Sequence, residues 1–172
     1  MNFSIRRIIN RLFAPRHELS CPSRIWKRLL IDLHRRGRGR HESGAFLLGT
    51  RDGDGRRHIR DYVLYDDLDP HALDTGIVRL DGSYFGQLWD ICRARGLTVV
   101  ADVHTHPHGA RQSKSDQSNP IISRAGHIAL IVPRLAAPPV SVQEIGIYRY
   151  LGGYRWDTIH AAKHKTFLHI GI

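Results

Sequence analysis

The run Leu97-Thr98-Val99-Val100-Ala101-Asp102-Val103 ends in His104-Thr105-His106-Pro107, and this junction constrains the chain more than any other feature. A continuous apolar run of this length, rich in β-branched residues, reads as a strand buried on both faces. Side chains two residues apart on a strand share a face, so His104 and His106 converge on one point. By itself a His-x-His pair arises often by chance in a chain with 12 histidines. Its meaning depends on what else reaches the same point.

Asp116 lies ten residues beyond His106, near the start of a short helix expected over residues 116–124, and offers a carboxylate. Two imidazoles and one carboxylate make a three-ligand set with an open fourth position, the pattern of a catalytic zinc. Ser113 precedes Asp116 by three residues. Alone, Ser-x-x-Asp is a helix-capping pattern. Asp102 is expected to fall out of phase with the histidines and is set aside, and His108, in a loop after a proline, is the weaker second choice. A general base is needed as well. Glu42, at the mouth of the buried strand Gly44–Gly49, supplies one if that strand lies beside the histidine strand.

The remaining punctuation defines a mixed α/β chain. Ser23 to Arg36 reads as a helix with Ser23 as N-cap, Gly37 as stop, and Trp26, Leu29, Leu30 and Leu33 on one face. Asp52-Gly53-Asp54-Gly55 turns a hairpin whose return strand is His58–Tyr65. Residues 66–81 form an irregular acidic loop. A helix over 83–95 presents Tyr84, Phe85, Leu88, Trp89 and Cys92 as its apolar stripe. Strands follow at 127–132, 142–150 and 154–160, with an irregular connection over 133–139 and a terminal strand or tail over 165–172. Consecutive late strands exclude a purely parallel doubly wound sheet, and a mixed sheet with helices packed on it fits better.

Charge divides the chain. Of the 26 Lys and Arg residues, 11 fall in residues 1–40 against 2 acids, while the other 132 residues carry 15 against 14. The net charge of +10 is therefore an N-terminal property. Residues 3–13 have helical spacing with a basic face, so residues 1–20 read as a basic arm and residues 21–172 as one domain. A solvated helix face outweighs a nucleic-acid contact through residues 1–40. Cys21 and Cys92 are far apart and form no C-x-x-C pair, which favours a reducing compartment. No apolar stretch approaches the roughly 18–20 residues of a membrane span, so the expected location is cytoplasmic.

The combination Glu42-x-Gly44-x-x-Leu47-x-Gly49, His104-x-His106-Pro107 and Ser113-x-x-Asp116 resembles the JAMM motif of the JAB1/MPN zinc metalloprotease family, over roughly residues 20–160. The resemblance implies the JAB1/MPN fold, a curved mixed β-sheet flanked by helices with cytidine-deaminase-like architecture. It implies Zn2+ held by His104, His106 and Asp116, Glu42 as general base and then acid, and Ser113 as hydrogen-bond donor to the oxyanion. Gln112 stands where many members have a proline, and the preceding loop is a residue shorter, which bears on loop geometry rather than on the ligands. The short layout is most similar to bacterial JAB proteins. These imply an isopeptidase or processing peptidase acting after the C-terminal glycine of a ubiquitin-like protein, alongside E1-like and E2-like enzymes, some in antiviral defence systems. In that setting Asp66, Asp67, Asp69 and Asp74 would face a basic surface of the ubiquitin-like partner. The alternatives are a sulfur-carrier-processing or RadC-like JAB protein, or a non-catalytic MPN scaffold.

Overall fold

Alternation along the central strands sorts side chains to two faces, and the helices follow that sorting. The structure is a computed structural model and describes residues 17–171. The expected basic helix over 3–13 lies outside the described residues, as does all but the last few residues of the 1–20 arm. Strand β1 (Leu19–Pro22) leads into helix α1 (Ser23–Gly37), and the hairpin β2 (Gly44–Arg51) and β3 (Arg57–Leu64) follows. A single helical turn, α2 (Tyr65–Leu68), opens the acidic loop, which ends at helix α3 (Phe85–Arg95). Then come β4 (Thr98–Thr105), the short helix α4 (Lys114–Ser118), β5 (Ile128–Val132), β6 (Gly146–Gly152), β7 (Arg155–Thr158), the turn α5 (His164–Phe167) and β8 (Leu168–Gly171).

The strands form one curled eight-stranded mixed sheet in the order β7-β6-β5-β4-β2-β3-β1-β8. Ala45 and Leu47 of β2, and Ala101 and Val103 of β4, pack against Ile25, Trp26, Leu29 and Leu33 of α1. Phe46 and Leu48 of β2 turn the other way and pack with Leu88 and Cys92 of α3. Each such leucine, fully removed from water, contributes about 1.5–3 kcal/mol. Beyond an irregularity where Leu47 pairs with Ala101 and Leu48 with Val99, Asp102 lies opposite Phe46 and shares the α3 side with His104, whereas Val100 belongs to the α1 side.

Several boundaries differ from the sequence reading. Pro22, not Ser23, occupies the N-cap of α1, and no side chain caps it. Gly37 stays helical, and Arg38 in the left-handed conformation (φ 49°) ends the helix. Trp89 is not core: it is 42 % exposed, because Leu88 and Cys92, four residues apart, already take the sheet-facing side of α3. Helix α4 covers only Lys114–Ser118, and Val142–Glu144 is a 3-10 turn rather than strand. Residues 134–136 form a turn in which three non-glycine residues take φ of 50–57°. It is anchored to α1, where a ring nitrogen of His34 donates to the Leu135 carbonyl at 3.0 Å.

Two glycines of the Glu42–Gly49 motif are there for close approach. A Cβ at Gly49 would sit 2.0 Å from the His58 carbonyl oxygen, and one at Gly44 would sit 2.3 Å from the Tyr65 ring. The obstacle at Gly49 is backbone of the partner strand, which cannot yield without opening the hairpin. Gly49→Ala should lower stability by about 3 kcal/mol, the upper end of ordinary overpacking. Urea unfolding checks this, and an unchanged midpoint would show that the hairpin tolerates the group.

Candidate metal centre

Register delivers the acid to the histidines. Strands β2 and β4 are antiparallel, with Gly44 opposite His104 and Ala45 opposite Val103. Continuing that pairing sets Glu42 opposite His106. Two bonds fix the junction where the ladder frays: Thr105 N–H donates to the Ser43 carbonyl at 2.9 Å, and Ser43 N–H donates to Thr105 Oγ1 at 2.9 Å. Ser43 Oγ in turn donates to the Leu33 carbonyl of α1 at 2.7 Å, tying the motif to the helix behind it.

His104 Nε2 and His106 Nε2 are 3.1 Å apart. Asp116 places Oδ1 3.5 Å from the first and Oδ2 3.2 Å from the second. Ligands on a tetrahedral ion with bonds of about 2.0–2.1 Å are separated by about 3.3 Å. The three side chains thus converge at a spacing compatible with one such ion, with each Asp116 oxygen nearest a different imidazole. Among the described residues they are the one metal-competent group of His, Cys, Asp and Glu. Glu42 Oε1 lies 3.8 Å from His106 Nε2, next to the three-ligand set but outside it. His108 is exposed and outside the cluster.

Electrostatics point the same way. Burial raises the Glu42 carboxyl, with His106 and His104 working against the rise. Burial also opposes charge on His106, but Asp116 and Glu42 outweigh it and raise its affinity for a proton. Burial likewise opposes charge on Asp116, yet the two imidazoles and the Ser113 N–H bring it far below the usual carboxylate range. Two partly buried carboxylates around paired imidazoles form a site that favours a cation. The residues present fit a divalent metal.

Ser113 serves in two ways. Its Oγ accepts from Asp116 N–H at 3.1 Å while its own N–H donates to Asp116 Oδ2 at 2.6 Å, so the capping box is formed and aims the Asp116 carboxylate. The hydroxyl hydrogen remains free to donate, and Ser113 is exposed at a cavity of about 710 Å3 that also contains Glu42 and His104.

Three elements of the site differ from the sequence reading or were absent from it. Asp102 is in phase with His104, contrary to the expectation, and shares its face. It is not a ligand because its carboxylate is already bound, by Tyr65 Oη–H at 3.1 Å and His127 Nε2 at 2.5 Å. Tyr148 Oη on β6 donates to the Ala110 carbonyl at 2.8 Å and accepts from Gln112 N–H at 3.3 Å, pinning the loop that replaces the expected proline. The acidic loop is the third. Asp66 and Asp67 both pair with Arg36, Asp74 pairs with His71, and buried Asp69 accepts from the N–H groups of His71 and Asp81. These acids fold the loop onto α1 and onto itself instead of presenting a free acidic face. The loop then closes over Glu42: Glu42 N–H donates to the Gly76 carbonyl at 3.0 Å, and Val78 N–H donates to Glu42 Oε2 at 3.4 Å.

The chain has similar proteins among those already known. The chain is 31 % identical over 68 residues to "Probable metalloprotease y4jG" of Sinorhizobium fredii, a match covering 40 % of this chain. The match spans about two fifths of that relative's own length (42 %). No protein-family profile matches the chain. The fold is shared with the solution structure of protein DSY2949 from Desulfitobacterium hafniense, with a TM-score of 0.59 at 19 % identity over 83 % of this chain and 90 % of that one. Among the described residues no helix is long and apolar enough to cross a membrane.

A metal that binds only the folded chain stabilises it by mass action, by roughly 2.7 kcal/mol at a hundredfold excess over Kd. Divalent metal should therefore raise the thermal midpoint of the purified protein, and Asp116→Ala should abolish the rise. A rise that survives the substitution would place the metal elsewhere. Because ligands must be deprotonated and His106 holds its proton above the ordinary value near 6.5, metal affinity should fall as pH drops, beginning above that value. Titrations across pH 5–8 test this; affinity that is flat down to pH 6 would contradict it.

Proposed function

We propose that the chain is a zinc-dependent peptidase of the JAB1/MPN (JAMM) type, cleaving after the C-terminal glycine of a ubiquitin-like protein. The observation that carries this reading is the three-ligand set formed by His104, His106 and Asp116, with Glu42 next to it. The name of the Sinorhizobium relative and the order of motif residues add to it. Two nitrogen ligands and one oxygen ligand in a tetrahedral set suit Zn2+. When bound, the metal supplies Lewis-acid polarisation and lowers the pKa of water toward ~7.

The chain's own residues would do the rest. Glu42, half-buried and raised by desolvation, accepts the proton of the attacking water at its carboxylate and returns it to the leaving amine. Val78 N–H orients that carboxylate from the overlying loop. Ser113 Oγ–H donates to the oxyanion that develops at the scissile carbonyl, while the Asp116 N–H holds the hydroxyl oxygen in place. Residues 77–80 on one side and the Ser115–Pro120 stretch on the other border the approach. A tail of glycines would enter such a channel with less steric conflict than larger side chains.

Incubation of the zinc-loaded protein with a ubiquitin-like protein fused through its C-terminal glycine to a reporter tests this reading. Cleavage at the glycine should be complete in the loaded enzyme, absent with chelator, and reduced about 100-fold or more in Glu42→Gln. Unaltered cleavage by Glu42→Gln, or none by the loaded enzyme, would overturn it.

A further inference from the structure

Behind the metal-site wall lies a second concavity of about 590 Å3, bounded by α3, the Arg51/Arg57 end of the β2–β3 hairpin and residues 122–127. Four guanidiniums line it, those of Arg51, Arg57, Arg93 and Arg124, and no carboxylate does. Arg57 is 6 % exposed. Its terminal nitrogens donate to Glu18 Oε1 at 3.1 Å and to the Gly126 carbonyl at 2.6 Å, while its buried Nε has no partner. Burial and then the neighbouring Arg51 charge lower its hold on its proton, with Glu18 acting against them. Arg51 and Arg124 are exposed and make no ion pair among the described residues. Arg93 pairs with Asp90 on the outer surface of the same helix, an exposed contact of small worth. Trp89, misplaced from the core by helical phase, lines this groove with its indole 42 % exposed.

The geometry points to a nucleotide-binding groove, with the phosphates held by Arg51 and Arg124 and the base stacked on Trp89. Guanidinium forks match phosphate oxygens two at a time. One face of the Trp89 indole stacks on Phe85, with ring centroids 5.8 Å apart, and its other face is the one that offers a π-surface to a base. The volume falls within the roughly 300–1,000 Å3 of small-ligand sites. An acidic peptide would answer the charge but leave the indole without a role.

Tryptophan fluorescence of the full chain, titrated with ATP, inorganic tripolyphosphate and hexaglutamate, decides the matter. ATP should quench the signal and bind about tenfold more tightly than tripolyphosphate, with hexaglutamate weaker still. Each of Arg51→Ala and Arg124→Ala should weaken ATP about tenfold, and Trp89→Leu, read by titration calorimetry because it removes the fluorescent reporter, by a similar factor. All three positions are exposed, so the fold should survive, as far-UV circular dichroism would register. ATP binding that is absent, or unchanged in the Arg51→Ala/Arg124→Ala double variant, would overturn the proposal. So would tripolyphosphate or hexaglutamate binding as tightly as ATP.

Discussion

The antiparallel pairing of β2 with β4 is the constraint on which the candidate site rests. A slip of one residue would invert every side chain on β2 relative to the core, burying Phe46 on the α1 side and turning Glu42 away from His106. The register is held from several directions. Ala45 and Leu47 fit only against α1, Phe46 and Leu48 only against α3. Ser43 and Thr105 exchange bonds beyond the last apolar pair, and Ser43 reaches the end of α1 as well. Gly44 and Gly49 admit close neighbours at the two ends of the strand. The acid is distant from the histidines in sequence and adjacent to them through this one ladder.

The surroundings then make the cluster rigid and expectant of positive charge. Asp102, with Tyr65 and His127, fills the floor next to His104 with a satisfied polar network, so the buried carboxylate is neither free to compete for the ion nor left without donors. Tyr148 and the Ser113 capping box fix the far side, from which Asp116 arrives. The acidic loop covers Glu42 through backbone groups, with its own carboxylates spent on internal partners. It thereby holds and desolvates the Glu42 carboxylate.

Much of this was legible in the sequence because it follows from periodicity and spacing. The buried strands, the hairpin at Asp52–Gly55, the convergence of His104 and His106, and the return of Asp116 after a capping serine all follow from local rules. What was not legible depends on contacts between distant segments. The helical stripe could not say that Leu88 and Cys92 exhaust the sheet-facing side of α3 and leave Trp89 outside. The charge of Asp66, Asp67 and Asp74 gave no sign that Arg36 and His71 pair with them. Asp102 was misplaced by a wrong count of strand phase, although its i, i+2 relation to His104 was plain. No residue pattern marks the hydroxyls of Tyr65 and Tyr148 as anchors, since their partners lie 37 and 38 residues away.

The central claim is that His104, His106 and Asp116 bind one metal ion and leave a position open. X-ray absorption spectroscopy of the zinc-loaded protein tests it most directly. One ion per chain is expected, with two imidazole nitrogens, one carboxylate oxygen and one exchangeable light ligand at about 2.0–2.1 Å. A spectrum with sulfur ligands, with a single imidazole, or with a closed shell of four protein side chains would contradict it.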